Sequence, residues 1–264
     1  MHEALAHVTA VGSIGVATAW GALTGSGVLV GALLGVFARL THGAIARLMA
    51  VGAGLLLAAA TVELAAEVVE VEPYAGMLVL LLGAASFSTG NAWLSRRGAQ
   101  HRKRCGGCVA QPSEADMPNS GLAIAMGTAM DAVPEALVLG LVLHAHGPDA
   151  ALITAITLGN LPEAMSASAG MRAANRSAFW ILRLWILIAV ATALLTGAGF
   201  ALAGVLTEDT ALLLQAFGAG ALLAMVSETL LPEAAHEGPG YSGLVTAIGF
   251  AALLYRGTRR DEDG

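Results

Sequence analysis

The sequence predicts an all-α membrane protein of eight transmembrane helices, arranged as three, two and three with inverted repeats. Three observations carry that expectation. Of the 264 residues, 56% are hydrophobic and only 12% charged, with a mean hydropathy of +0.73, beyond the range of a soluble globular chain. Apolar segments near the ~20 residues that a membrane-crossing helix needs recur along its whole length. Short motifs also recur in pairs, in segments that would cross the membrane in opposite senses.

The segments lie at roughly 12–37, 44–67, 74–94, 120–143, 149–171, 178–205, 210–232 and 241–256, in a single polytopic domain over 1–264. The first dozen residues lack a basic stretch, so no cleavable leader is expected and the first segment should be retained. Basic residues orient the rest. Arg39 and Arg47 flank the first connection, Arg96, Arg97, Arg102, Lys103 and Arg104 fill the third, and Arg172, Arg176 and Arg183 edge the fifth. The second, fourth, sixth and seventh connections have none. The positive-inside rule makes 95–118 a cytoplasmic basic loop and puts both termini outside, in a plasma (inner) membrane. Arg256, Arg259 and Arg260 at the C-terminus run against it. The 33 glycines suit close helix packing in lipid. Nothing in the charge pattern suggests nucleic-acid binding, and two cysteines do not make a disulfide framework. Whether the chain forms a homodimer is left open.

The fourth and fifth segments are central. They repeat one tetrad, Val133-Pro134-Glu135-Ala136 and Leu161-Pro162-Glu163-Ala164. Asp131 precedes Glu135 by four residues and Asn160 precedes Glu163 by three, so each pair shares a helical face. A charged group at the bilayer centre costs roughly 3 kcal/mol, so three acids call for a neutralising cation, protons or each other. Each proline denies its helix a backbone bond and frees a carbonyl one turn back, which at membrane depth must be satisfied by protein or a cavity. Asp131, Glu135, Asn160 and Glu163 are therefore candidate metal ligands, with Asn160 either a ligand through its amide oxygen or a link between helices.

A second repeat relates Gly52-Ala-Gly-Leu-Leu-Leu-Ala58 to Gly218-Ala-Gly-Ala-Leu-Leu-Ala224, each followed at the same spacing by an acid, Glu67 and Glu233. The second and seventh segments thus align while crossing oppositely, a pattern of inverted-repeat transporters. Glu63 and Glu67 toward the outer end, and Glu228 and Glu233 toward the inner end, are candidate pathway acids or helix-end acids near water. His144 and His146 end the fourth segment, where imidazole collects metal or is simply wetted. Met126, Met130 and Met165 offer thioether sulfur near the tetrads or fill the packing. In the 95–118 loop, His101 with Cys105-Gly-Gly-Cys108 has tetrahedral-zinc spacing but supplies only three ligands; otherwise the loop serves topology alone.

These residues resemble the ZIP family of divalent metal transporters. The resemblance covers most of the chain, through Asp131-Ala-Val-Pro-Glu-Ala136, Gly159-Asn-Leu-Pro-Glu-Ala164 and Gly218-Ala-Gly-Ala-Leu-Leu-Ala to Glu228-Thr-Leu-Leu-Pro-Glu-Ala234. It implies eight spans, both termini outside, a variable cytoplasmic loop after the third span and a metal site between the fourth and fifth. The family's fourth-span pattern is close to His-Asn-x-Pro-Glu-Gly. Here Asp131 takes the histidine position, Ala132 the asparagine position and Glu135 the acid. In the fifth span Gly159 stands where a ligand often does, with Asn160 and Glu163 following. No acid occurs around Thr192 to Gly197, so a second, adjacent metal position is depleted. The expected substrate is a divalent cation (Zn, Mn or Fe) moved toward the cytoplasm, with no organic cofactor and no enzymatic activity. The carboxylate at 131 tilts selectivity toward harder ions such as Mn²⁺. Two other functions stay open: a non-transporting metal sensor or partner subunit, and an intramembrane metal enzyme, against which stands the lack of any mid-span histidine.

Overall fold

The computed structural model describes residues 13–38, 41–99, 120–237 and 240–263, and among these the chain is helical with no strand. The helices are α1 (Ile14–Phe37), α2 (His42–Ala58), α3 (Ala66–Val71), α4 (Pro73–Leu94), α5 (Ser120–Ala145), α6 (Ala150–Ala173), α7 (Ala178–Ala203), α8 (Glu208–Met225), α9 (Leu231–Glu237) and α10 (Ser242–Asp263). Three π-helical stretches accompany them. Ala59–Ala65 joins α2 to α3, Val226–Leu230 joins α8 to α9, and Ser95–Ala99, broken at Gly98 with φ 104, follows α4.

The helix starts are set by local chemistry. Ser13, Thr41, Asp149, Ser177 and Thr207 each accept a backbone N–H from the first turn of the following helix, and Pro73 occupies the first turn of α4, where its missing N–H is harmless. Between α5 and α6 the chain reverses over 146–149, with Gly147 at φ 78, a left-handed conformation that glycine adopts without strain. Both π stretches inside the long rods carry a threonine that bonds back to its own helix. Thr61 Oγ1 donates to the Leu57 carbonyl at 2.8 Å and Thr229 Oγ1 to the Met225 carbonyl at 2.6 Å, serving acceptors where the i→i−4 ladder is shifted.

Six helical stretches are long and apolar enough to cross a membrane: Ile14–Phe37, Gly43–Val71, Pro73–Ala99, Leu122–Ala145, Ala178–Ala203 and Glu208–His236. This is fewer than the eight expected, for two separate reasons. α6 has the length, 24 residues, but carries Asn160, Glu163, Ser166 and Ser168 among sixteen buried positions. Protein rather than lipid surrounds it, so it need not be apolar. In α10 the apolar part, Ser242–Tyr255, is short.

α1 packs along α6 and α7, α5 along α7, α4 along α8, α10 along α2, α2 along α6, and α5 along α8. Several of these crossings are backbone to backbone, among them α2 with α10 and α4 with α8. A methyl group added at Gly54 would overlap the Thr246 carbonyl, and one at Gly249 the Val51 carbonyl, locking α2 to α10. One added at Gly220 would overlap the Leu80 carbonyl, and one at Gly83 the Phe217 carbonyl, locking α4 to α8. The main hydrophobic cluster runs through the middle of the bundle, with Leu56, Leu64, Leu139, Leu152, Ile156 and Leu222 wholly buried.

Candidate functional site

Asp131 and Glu135 on α5, and Asn160 and Glu163 on α6, are 2%, 2%, 6% and 5% exposed. All four lie near the middle of their helices. Asn160 Nδ2 donates to Glu135 Oε2 at 2.7 Å, joining the two proline-bearing helices. An amide donor to a buried carboxylate is a charge-assisted bond, shorter and stronger than a neutral one. Pro134 and Pro162 sit one residue before Glu135 and Glu163, so the carbonyls that each ring leaves without an N–H partner, at Met130 and Leu158, lie on the turn preceding each acid. The Pro162 ring is accommodated by Gly52, where an added Cβ would stand 2.9 Å from the ring.

The two helices part company two residues before their tetrads. Asp131 is the register partner of Gly159, and there α2 closes in: a Cβ at Gly159 would lie 2.6 Å from Leu56 Cγ and 2.8 Å from its Cδ1. Leu56, fully buried, fills the space that a side chain at 159 would need. Of the methionines, Met165 is fully buried and Met126 is 45% exposed; Met130 borders an apolar cavity of about 280 Å³ between α4, α5 and α8.

The predicted pathway acids fall in different places. Glu63, on the first π stretch, is half-buried. Glu67 Oε1 lies 3.4 Å from His146 Nε2. Its Oε2 accepts from Gln215 Nε2 at 3.3 Å, and the same nitrogen donates to the Leu64 carbonyl at 3.3 Å. These groups line a cavity of about 560 Å³ at one end of the bundle, together with His144 and Glu208. His144 meets the Phe200 ring edge-on at 4.9 Å. Glu228, on the second π stretch, accepts from Ser88 Oγ and, at 2.8 Å, from Asn91 Nδ2 of α4. Glu233 is buried. His101, Cys105 and Cys108 lie outside the described residues. Among the described residues no three His, Cys, Asp or Glu side chains gather closely enough to hold a metal ion. The geometry brings Glu135 and Asn160 together, and Glu67 with His146, pair by pair.

Sequence reasoning missed Gln215, Glu208, Ser88 and Asn91. Gln215 carried the signal that found Asn160: an amide inside an apolar run. No protein-family model matches the chain, and no curated protein matches it.

Proposed function

We propose that the protein carries divalent metal cations across a membrane through a site between α5 and α6, as a divergent relative of the ZIP transporters. One observation carries this reading: three carboxylates and an amide, all more than nine-tenths buried, on two adjacent proline-bearing helices at mid-bundle. Such a set is costly in an apolar bundle unless an ion or protons neutralise it. The Asn160 amide suits both states. Its NH₂ satisfies Glu135 when no cation is bound, and half a turn about χ2 presents its oxygen to a cation instead.

The backbone crossings support an internal repeat. Gly54 corresponds to Gly220, Val51 to Phe217, Leu80 to Thr246, Gly83 to Gly249 and Ala84 to Phe250, all at one constant offset in numbering and all in the same two knots. The packing scheme also maps onto itself when α1 is exchanged with α7, the α2–α3 rod with the α8–α9 rod, α4 with α10, and α5 with α6. This favours eight membrane-crossing rods in a three-two-three arrangement related by an in-plane pseudo-two-fold, as in inverted-repeat transporters. In that reading α6 and α10 also cross the membrane, α6 shielded from lipid by its neighbours, and both termini lie outside.

The test is uptake by the purified protein in liposomes across Zn, Mn, Fe, Co and Cd. Glu135→Ala and Glu163→Ala should each lose most uptake while inserting normally. Wild-type uptake by either variant removes that residue from the site. Metal binding without uptake by the wild type replaces transport with sensing.

A further inference from the structure

We propose that the mouth of the bundle holds a separate capture site for a partly hydrated divalent cation, with His146 Nε2 and Glu67 Oε1 as its protein donors. Their separation, 3.4 Å, is long for a charge-assisted hydrogen bond. It matches the edge of a tetrahedral shell: two donors about 2.0–2.1 Å from a zinc-like ion lie roughly 3.3 Å apart. The carboxylate is preset. Gln215, 3% exposed, holds the second oxygen of Glu67 and is itself anchored on the Leu64 carbonyl, the kind of outer support that orients metal ligands.

The surroundings favour a cation. Glu208 adds a second carboxylate to the cavity wall, and no Lys or Arg is among its described lining residues, so these residues give the cavity a negative potential. At about 560 Å³ it has room for the waters that complete the ion's shell, each taking roughly 30 Å³. Two protein donors and several waters make a weak, fast-exchanging site. Its position suits hand-over. Leu141 of α5 lines the same cavity, and Glu135 lies six residues earlier on that helix, about 9 Å along the axis at ~1.5 Å per residue. Only the onward traffic rests on the transport reading; the binding stands without it.

The test follows carbethoxylation of His146 in the purified full-length protein by mass spectrometry, with Zn²⁺ alone as the probe. Zn²⁺ should slow the modification at least fivefold in the wild type and equally in a Glu135→Ala/Glu163→Ala protein, whose core site is gone. Protection should vanish in Glu67→Gln and persist in Glu208→Gln, which keeps both donors. His144, on the same cavity but edge-on to Phe200, should stay reactive throughout. Equal rates with and without Zn²⁺ in the wild type overturn the proposal, and so does protection that disappears with the core acids yet survives Glu67→Gln. In liposomes, Glu67→Gln should raise the half-saturating zinc concentration about fivefold and keep the maximal rate within twofold. Protection intact in a protein that transports nothing sinks the transport reading and leaves the capture site standing.

Discussion

Replacing Asn160 by Asp exchanges the amide that donates to Glu135 for a second carboxylate of the same size, at the same 2.7 Å separation. Two terms can be set against each other. The lost hydrogen bond to a charged acceptor is worth about 1.5–3 kcal/mol. Repulsion between two unit charges 2.7 Å apart is about 6 kcal/mol at an effective dielectric constant of about 20. Repulsion dominates until one carboxylate takes up a proton, after which the O–H donates much as the amide did. The variant should therefore melt lower at pH 8, where both carboxylates carry charge, than at pH 5. The lost hydrogen bond alone, about 1.5–3 kcal/mol, corresponds to roughly 3–12 °C in apparent melting temperature at pH 8. Fluorescence melting in detergent at pH 5 and pH 8 reads this directly. Mn²⁺ at pH 8 should restore most of the loss, since a divalent ion between the carboxylates replaces the proton. A variant that melts within 2 °C of the wild type at both pH values, with no response to Mn²⁺, would mean that Asn160 and Glu135 are not in contact.

Asp131→His should raise the preference for Zn²⁺ over Mn²⁺ about tenfold, roughly 1.4 kcal/mol, because imidazole suits zinc and carboxylate harder ions; competitive uptake measures it, and an unchanged ratio removes Asp131 from the ligand set. Gly220→Val, whose Cβ would overlap the Leu80 carbonyl, should unfold or strongly destabilise the α4–α8 pair, whereas Gly243→Ala, with no atom within 4 Å of its added carbon, should melt like the wild type. If the 95–118 connection is cytoplasmic, as the positive-inside rule expects, Cys105 and Cys108 should resist an impermeant thiol reagent in intact cells and react once the membrane is opened; labelling of intact cells reverses the orientation.

The buried polar residues at the centre of the candidate site were legible in the sequence because their signal is local: acids and prolines inside apolar runs stand out whatever surrounds them. The pairing of Asn160 with Glu135 was not, since it depends on how α5 and α6 are rotated against each other. Leu56 was invisible for the same reason. A leucine in an apolar helix announces nothing until its isobutyl group is found where a side chain at Gly159 would be. The π stretches escaped because one extra residue in a turn leaves the hydrophobic pattern nearly intact. Length and composition single out six stretches among the described residues, and α6 is not one of them because environment overrides composition there: its polarity is tolerable where neighbouring helices cover it.

The glycine crossings also divide the molecule mechanically. Backbone is pressed on backbone where Gly31 and Gly35 of α1 meet the Leu161 and Met165 carbonyls of α6, and where Gly140 and Gly199 bind α5 to α7. The knots at Gly54 and Gly220 do the same on the other side, where Gln215 and Glu228 add polar ties. Between these two groups the nearest atom at each glycine is a side-chain atom, Pro162 against Gly52, Leu56 against Gly159 and Val138 against Gly218, with the Gly159 carbonyl following at 3.2 Å from a Cβ at Gly52. Interlocked backbones resist sliding, whereas smooth aliphatic surfaces permit it. The seam between the groups leaves Asp131, Glu135, Asn160 and Glu163 together on one side, so slippage along it would carry them as a single cargo bay. It also runs between His146 and Glu67, so the same stroke would pull the mouth apart and release an ion held there. A Val138→Cys/Gly218→Cys cross-link should arrest uptake reversibly with reductant; full uptake in the oxidised protein would place the moving surface elsewhere.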